Sequence, residues 1–283
     1  MIIFGLSLWF ILGIMILAFF CEYVDSTLGM GYGTTLTPVL LIMGYEPLQI
    51  VPAILISELI SGLMAGVFHH KEGNVNFKPK IMRIPEIFKE LKMSGFIQAL
   101  KKSFPRHLKV ALLLASCSVI GTVLAVFIAV SIPKFWVKLY IGFLVFSMGI
   151  MIIIFFNREF NFSWKKIIGL GLLASFNKGL SGGGYGPVVT SGQILSGVDE
   201  KNAVGITSLA EGLTCAVGIA AYFLISNNPL NLKLAPFIVT GAVLSVPFSA
   251  KSVKKMTKKR LKLAIAALTI VLGVFTLIKT LWV

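Results

Sequence analysis

The chain has 283 residues, of which 57% are apolar or aromatic and only 13% are charged. A soluble domain of this size keeps roughly a quarter of its residues charged, so the composition predicts an integral membrane protein and excludes soluble enzymes and disordered chains. The net charge of +15 comes from a few basic segments between apolar runs. That pattern is typical of a topology signal and argues against nucleic-acid binding.

Apolar windows divide the chain into about ten predicted transmembrane elements. In chain order the windows are 3–21, 34–44, 48–69, 108–130, 134–156, 166–177, 186–196, 201–225, 233–250 and 261–282. A full crossing needs about 20 residues, so 34–44, 166–177 and 186–196 are predicted to be half-helices or hairpin arms. The fold class predicted from the sequence is therefore an all-α integral membrane protein with broken helices.

Three basic segments predict the orientation in the membrane. Residues 71–107 hold nine Lys or Arg, residues 251–262 hold seven, and Arg158, Lys165 and Lys166 form the third group. The positive-inside rule places all three in the cytoplasm and both termini outside, for a multi-pass protein of the cytoplasmic (inner) membrane. Anionic headgroups attract such segments, so membrane lipids are expected partners.

A shift of 153 residues aligns the two halves of the chain. Over thirty positions, 29–58 against 182–211, eight residues are identical. Further on, the offset shortens by 29 residues, which marks 71–107 as an insertion in the first copy. The sequence thus predicts two five-element repeats, 1–156 and 157–283, of opposite direction in the bilayer. Inverted repeats are typical of secondary transporters, although a purely architectural duplication is the alternative.

Each copy interrupts its apolar run with a glycine-rich break. The breaks are Gly29-Met-Gly-Tyr-Gly33 and Gly182-Gly-Gly-Tyr-Gly186. Unwound backbone at membrane depth is tolerated only where protein or a watery cavity satisfies its amides. We therefore expect both breaks to face one cavity, where the starts of the following half-helices suit a small anion. Close packing of helices through the glycines is the alternative.

Five ionisable residues lie in apolar context, where charge is costly and usually functional: Glu22, Asp25, Glu58, Lys178 and Glu211. The alignment makes Asp25 equivalent to Lys178, so the two are expected to meet at the cavity. Lys178 is equally suited to attract an anionic substrate. Glu58 and Glu211 are also equivalent, and together with Asp25 they are predicted to carry protons. A structural role in capping exposed amides is the alternative for the glutamates.

No catalytic, metal or cofactor site is predicted. Residues 179–182 match the GxSG pattern of intramembrane rhomboid proteases, but no histidine follows His107 to serve as the base. Cys21, Cys117 and Cys215 are isolated from one another and from histidines, which argues against disulfides and zinc. We expect a protein that is not an enzyme.

The glycine-rich motif, its second copy and the long helices that end the two halves resemble the TauE/SafE family of sulfite exporters, also called the toluene sulfonate uptake permease family. The resemblance covers nearly the whole chain except 71–107. It implies a secondary carrier for sulfite, sulfonates such as sulfoacetate, or related organic acids, with protons as the coupling ion. Met30 departs from the pattern where the second copy has Gly183, which suggests that the second copy contacts the substrate more closely.

The predicted substrate site therefore combines the two breaks, nearby hydroxyls and the lysine. Its residues are Gly29, Gly31, Tyr32, Gly33, Thr34, Thr35, Lys178, Ser181, Gly182, Gly183, Gly184, Tyr185, Gly186 and Thr190. We expect an anion transporter that works by alternating access. A small-carboxylate permease and a non-transporting scaffold that recruits a partner through 71–107 are the alternatives. The sequence leaves the anion, the direction of transport and the oligomeric state open.

Overall fold

The computed structural model describes residues 2–3, 6–45, 47–79, 104–129, 134–181, 185–225 and 232–281. Within these ranges the chain forms ten helices. The first five are α1 (Leu8–Leu28), α2 (Tyr32–Ile42), α3 (Pro47–Lys71), α4 (Arg106–Ala129) and α5 (Lys134–Ile154). The other five are α6 (Trp164–Ser181), α7 (Tyr185–Leu195), α8 (Glu200–Ile225), α9 (Ala235–Lys255) and α10 (Lys258–Leu281). Two short strands, β1 (Ile2–Ile3) and β2 (Leu6–Ser7), pair antiparallel before α1.

The helices follow the predicted windows, with two differences. Helix α1 continues to Leu28, past the predicted end at residue 21, because Glu22 and Asp25 are buried inside the protein rather than exposed to lipid. The predicted half-helix 166–177 is part of the 18-residue helix α6. Helices α2 and α7 have 11 residues each, about 16 Å at 1.5 Å per residue, and are therefore half-length elements.

The described part of the chain has five helices that are long and apolar enough to cross a membrane. They are Leu8–Leu28, Gln49–Lys71, Glu200–Ala220, Ala235–Lys255 and Lys258–Leu281. A shorter apolar stretch, Lys138–Ile154, lies within α5. Many large apolar side chains on these helices are exposed on the outside of the bundle, as lipid-facing residues should be. The fold is a helical bundle of the multi-pass membrane type.

The packing brings helices from the two ends of the chain together. The most extensive helix pairs are α5 with α10, α4 with α6, α1 with α9, and α3 with α8. Apolar side chains form two buried clusters. One surrounds Tyr32 at the start of α2, and the other surrounds Tyr185 at the start of α7. The two short helices therefore each begin inside a packed core.

The described parts of the three basic segments lie at one end of the bundle. Lys254, at the end of α9, pairs with Glu72, just after α3, at 3.0 Å. Lys262, near the start of α10, donates a hydrogen bond of 2.8 Å to the carbonyl of Phe156, in the connection from α5 to α6. These contacts put the described residues that directly follow α3, α5 and α9 at the same end of the bundle.

The crossing of α3 and α8 depends on two glycines in contact. A Cβ atom at Gly62 would lie 2.7 Å from the Ser208 carbonyl oxygen and 2.9 Å from the Cα of Gly212. We expect Gly62→Ala to force the helices apart and to lower the free energy of unfolding by about 1–3 kcal/mol. Thermal unfolding in detergent measures the loss. Gly13→Ala is the control, because nothing lies within 4 Å of its added Cβ; equal melting temperatures for both variants would contradict the tight crossing.

Candidate functional site

The described residues of the two glycine-rich breaks lie close together inside the bundle. Gly29 and Gly31, between α1 and α2, have φ angles of 74° and 124°, which residues with a Cβ atom rarely adopt. The hydroxyl of Thr190, on α7, donates a hydrogen bond of 2.9 Å to the carbonyl of Gly29. A Cβ at Gly186 would lie 2.6 Å from that same carbonyl oxygen. Helix α7 therefore packs directly on the turn between α1 and α2.

A lysine beside this contact joins carboxylates from two long helices. The Nζ atom of Lys178 donates to Oε1 of Glu211 at 3.0 Å and lies 3.6 Å from Oε2 of Glu58. The exposed fractions of the three side chains are 14%, 13% and 9%. Lys178 also lies over the ring of Tyr185, 5.2 Å from its centroid. Glu58 and Glu211 are each near the middle of their helix, so the ion pairs lie deep in the bundle.

Asp25 caps the start of α2. Its Oδ1 atom accepts a hydrogen bond of 3.0 Å from the backbone N–H of Tyr32, the first residue of that helix. Asp25 and Lys178 line one cavity, where they were expected to meet, and the ion pairs of Lys178 are with Glu58 and Glu211. A carboxylate at a helix start is stabilised by the free amides there. The positive end of α2 is thus already occupied by the protein's own anion.

The cavity at this point has a volume of about 20 Å³. That is room for roughly one water molecule. It is lined by Asp25, Gly31, Tyr32, Gly33, Thr34, Glu58, Lys178, Tyr185, Gly186, Pro187 and Glu211. Residues from both breaks and all three predicted proton carriers are therefore brought to one small space.

Several predicted binding residues lie elsewhere. Gly29 and Thr190 are used in the contact between the breaks rather than in the lining, because the hydroxyl of Thr190 is donated to the Gly29 carbonyl. Thr35 is exposed, and the lining does not include it. Ser181 is the last residue of α6. The predicted residues Gly182, Gly183 and Gly184 lie outside the described residues.

No role was predicted from the sequence for Cys215 or Ser57. The thiol of Cys215 donates to Oε2 of Glu58 at 3.1 Å, and the hydroxyl of Ser57 is 2.7 Å from that of Tyr32. Cys215 lies four residues after Glu211, so helical spacing places it on the same face as this carboxylate. The sequence also predicts Pro187 at the first position of a helix, where proline is favoured, but Pro187 is the third residue of α7.

Comparison with known proteins gives the family. The family model described as "Sulfite exporter TauE/SafE" matches residues 14–85 and 91–276. This chain belongs to the TauE/SafE family. It is similar to the probable membrane transporter protein YtnM of Bacillus subtilis (strain 168), with 25% identity over 270 residues that cover 91% of this chain and 79% of that protein. No solved structure matches it significantly.

The TauE/SafE match also corrects one expectation. The segment 71–107 was expected to lie outside the resemblance, yet the family match leaves out only 86–90 of it. Most of this basic segment is therefore shared with the family rather than peculiar to this chain. Together, the family, the relative and the apolar helical bundle identify a multi-pass membrane transporter.

Proposed function

We propose that this TauE/SafE protein is a proton-coupled secondary transporter of small sulfur-containing anions, such as sulfite or an organosulfonate. The observation that carries the proposal is Lys178, held between Glu58 and Glu211 at the edge of the central cavity. A lysine buried at membrane depth is costly and is usually retained for a function. Its ammonium group supplies the charge that an anion needs in a site from which water is excluded.

The two halves offer unequal places for an anion. At the start of α2 the amide of Tyr32 is bonded to Asp25, so a substrate would have to displace a carboxylate. In the second copy, Lys178 takes the place of Asp25. Beside it, Tyr185 and Gly186 at the start of α7 line the cavity. Of the two described half-helix starts, the one at α7 therefore combines the positive helix end with the charge of the lysine. We place the substrate there, with the second copy as the main contact.

Proton coupling follows from the charge balance of the cavity. Asp25, Glu58 and Glu211 line it with Lys178, so these four side chains would carry a net charge of −2 if all three carboxylates were ionised. An anion cannot enter such a space without strong repulsion in a medium of low dielectric constant. Protonation of Glu211 or Glu58 reduces the repulsion and releases Lys178 to the substrate. The anion and the proton would then move in the same direction.

We also propose that 1–156 and 157–283 are inverted repeats that alternate access to the site. Helices α2 and α7 have equal length. With five helices in each half, α1 corresponds to α6 and α4 corresponds to α9. The extensive pair α1 with α9 then has the pair α6 with α4 as its counterpart. A cavity that holds about one water molecule suits an occluded state, which must open to either side for transport.

Orientation in the inner membrane follows from the basic end of the bundle. We assign that end to the cytoplasm by the positive-inside rule, which leaves both termini outside. The scaffold alternative depends on 71–107, and residues 80–103 of that segment lie outside the described residues. The transporter family of this chain favours transport over a scaffold.

Flux in proteoliposomes tests the proposal. The panel is sulfite, thiosulfate, sulfoacetate, taurine and a short dicarboxylate, each with and without a pH gradient. We expect saturable uptake of at least one sulfur anion, stimulated when the side that holds the substrate is acidic. Amides and an ammonium group recognise carboxylates as well, so uptake of the dicarboxylate alone would establish the carboxylate permease instead. No flux of any member through folded protein would overturn the proposal.

A further inference from the structure

A second cavity lies on the outer surface of the bundle, between α1 and α9. It has a volume of about 390 Å³ and is lined by Phe19, Phe20, Tyr23, Phe248, Lys251, Ser252 and Lys255. We infer that this groove binds an anionic phospholipid, with its phosphate on the two lysines and an acyl chain along the aromatic rings. The site is separate from the central cavity and does not depend on the transported substrate.

The groove is polar at one end and apolar at the other. Lys251 and Lys255 are exposed, and their spacing of four residues places them on the same face of α9, one turn apart. One turn before Lys251, the ring of Phe248 is 58% exposed, and Phe20 on α1 is 61% exposed. A lipid has the same polarity, since its headgroup is charged and its chains are apolar.

Apolar side chains continue from the groove along both helices. Ile16 on α1 is 58% exposed and Leu244 on α9 is 54% exposed, each about one turn beyond the aromatic rings. These residues point to the lipid side of the bundle and away from the basic end. An acyl chain that leaves the groove would therefore remain in contact with protein toward the middle of the bilayer.

The walls of the groove are held in place. The hydroxyl of Tyr23 lies 2.7 Å from that of Ser252, which ties α1 to α9 beside the lysines. The rings of Phe19 and Phe248 also meet across the two helices, with centroids 6.0 Å apart. A groove fixed by contacts between its walls needs less ordering when a lipid binds.

The charge near the groove favours an anion. Glu72 lies near enough for the charge of Lys251 to act on it, and it is already ion-paired with Lys254 at 3.0 Å. Glu22 precedes Tyr23 in the chain but is only 2% exposed and lies in the core. Lys251 and Lys255 therefore keep a net positive field at the headgroup level, where each lysine adds to the attraction for an anionic lipid.

Native mass spectrometry of the full chain in mild detergent tests the site. The probes are phosphatidylglycerol and phosphatidylcholine with the same acyl chains, and inorganic phosphate as the soluble source of the same headgroup chemistry. We expect one phosphatidylglycerol to stay bound, with little phosphatidylcholine and no effect of phosphate. Lys251→Ala with Lys255→Ala should weaken phosphatidylglycerol binding by about 30-fold, as expected for two lysines at an anionic surface.

Lys259→Ala with Arg260→Ala is the matched control. It removes the same charge from the same basic end, but neither residue lines the groove. We expect this control to keep the bound lipid. If Lys251→Ala with Lys255→Ala does not fold, Lys251→Gln with Lys255→Gln replaces it in the test. Equal loss of lipid in both pairs, or equal retention in both, would overturn the site. So would competition by inorganic phosphate, or a second copy of the chain that occupies this face and excludes the lipid.

Discussion

Lys178→Ala is expected to lower anion flux by roughly 100-fold at saturating substrate. Charged hydrogen bonds contribute about 1.5–3 kcal/mol each, and among the described residues this side chain is the cation that lines the central cavity. Without it the anion would meet Glu58 and Glu211 with nothing to offset their charge. The measurement is initial uptake into proteoliposomes, normalised to the amount of folded protein.

A loss of folding would also lower the anion flux, so a second variant is needed that keeps the protein folded. Removing Lys178 alone leaves Glu58 and Glu211 without their cation, which costs about 3–5 kcal/mol for a buried pair. Lys178→Gln combined with Glu211→Gln removes one charge of each sign and keeps the net charge of the site. We expect this double variant to recover most of the thermal stability and none of the transport.

Lys262→Ala provides a second control. Lys262 is 8% exposed and donates to the carbonyl of Phe156 at the basic end of the bundle, outside the central cavity. Its removal should affect stability but not the flux per folded molecule. Normal flux in Lys178→Ala, or equal loss of flux in Lys262→Ala, would remove Lys178 from the anion site.

The helix positions could be predicted because long apolar runs end at glycines, prolines and charges. The repeat offset also predicted that α2 and α7 match, and both have 11 residues. The end of α1 was missed because hydropathy counts Glu22 and Asp25 as exposed charges. Both are buried in the bundle, where tertiary contacts rather than lipid determine the cost of a charge.

The central cavity was predicted better than its contacts. Internal similarity placed Asp25, Lys178 and the two glutamates in one region, because equivalent residues of a duplicated chain occupy equivalent depths. It could not predict which groups pair, since that depends on how α3 crosses α8 and on the angle of each side chain. Lys178 reaches Glu211 and Glu58, while Asp25 turns to the amide of Tyr32.

Hydroxyl groups were the least predictable part of the site. Thr190 was expected to donate to the substrate, but its hydroxyl bonds to Gly29 and fixes the contact between the two breaks. Thr34 lines the cavity, yet its hydroxyl donates to the carbonyl of Gly31. A sequence shows that a donor is present, whereas its acceptor is decided by the fold.

Glu211→Gln and Glu58→Gln are expected to uncouple transport from the proton gradient. Glutamine has nearly the shape of glutamate but cannot take up a proton, and in either variant one carboxylate no longer holds Lys178. Wild-type uptake should rise several-fold when the substrate side is acidic. In each variant we expect this ratio to fall toward one, with exchange of substrate at equal pH retained. The larger effect should come from Glu211, whose contact with Lys178 is the shorter, at 3.0 Å.

Glu72→Gln is the control for the loss of a carboxylate. Glu72 follows α3 at the basic end, and the hydrogen bond from Lys254 holds the pKa of its carboxyl below the usual value. This group therefore stays ionised at neutral pH and cannot carry a proton in the working range, so its variant should keep the full response to the gradient. A carboxylate that only caps backbone amides would be replaced by glutamine with little change. An unaltered gradient response in both Glu58→Gln and Glu211→Gln would thus establish the capping role and place the proton pathway elsewhere.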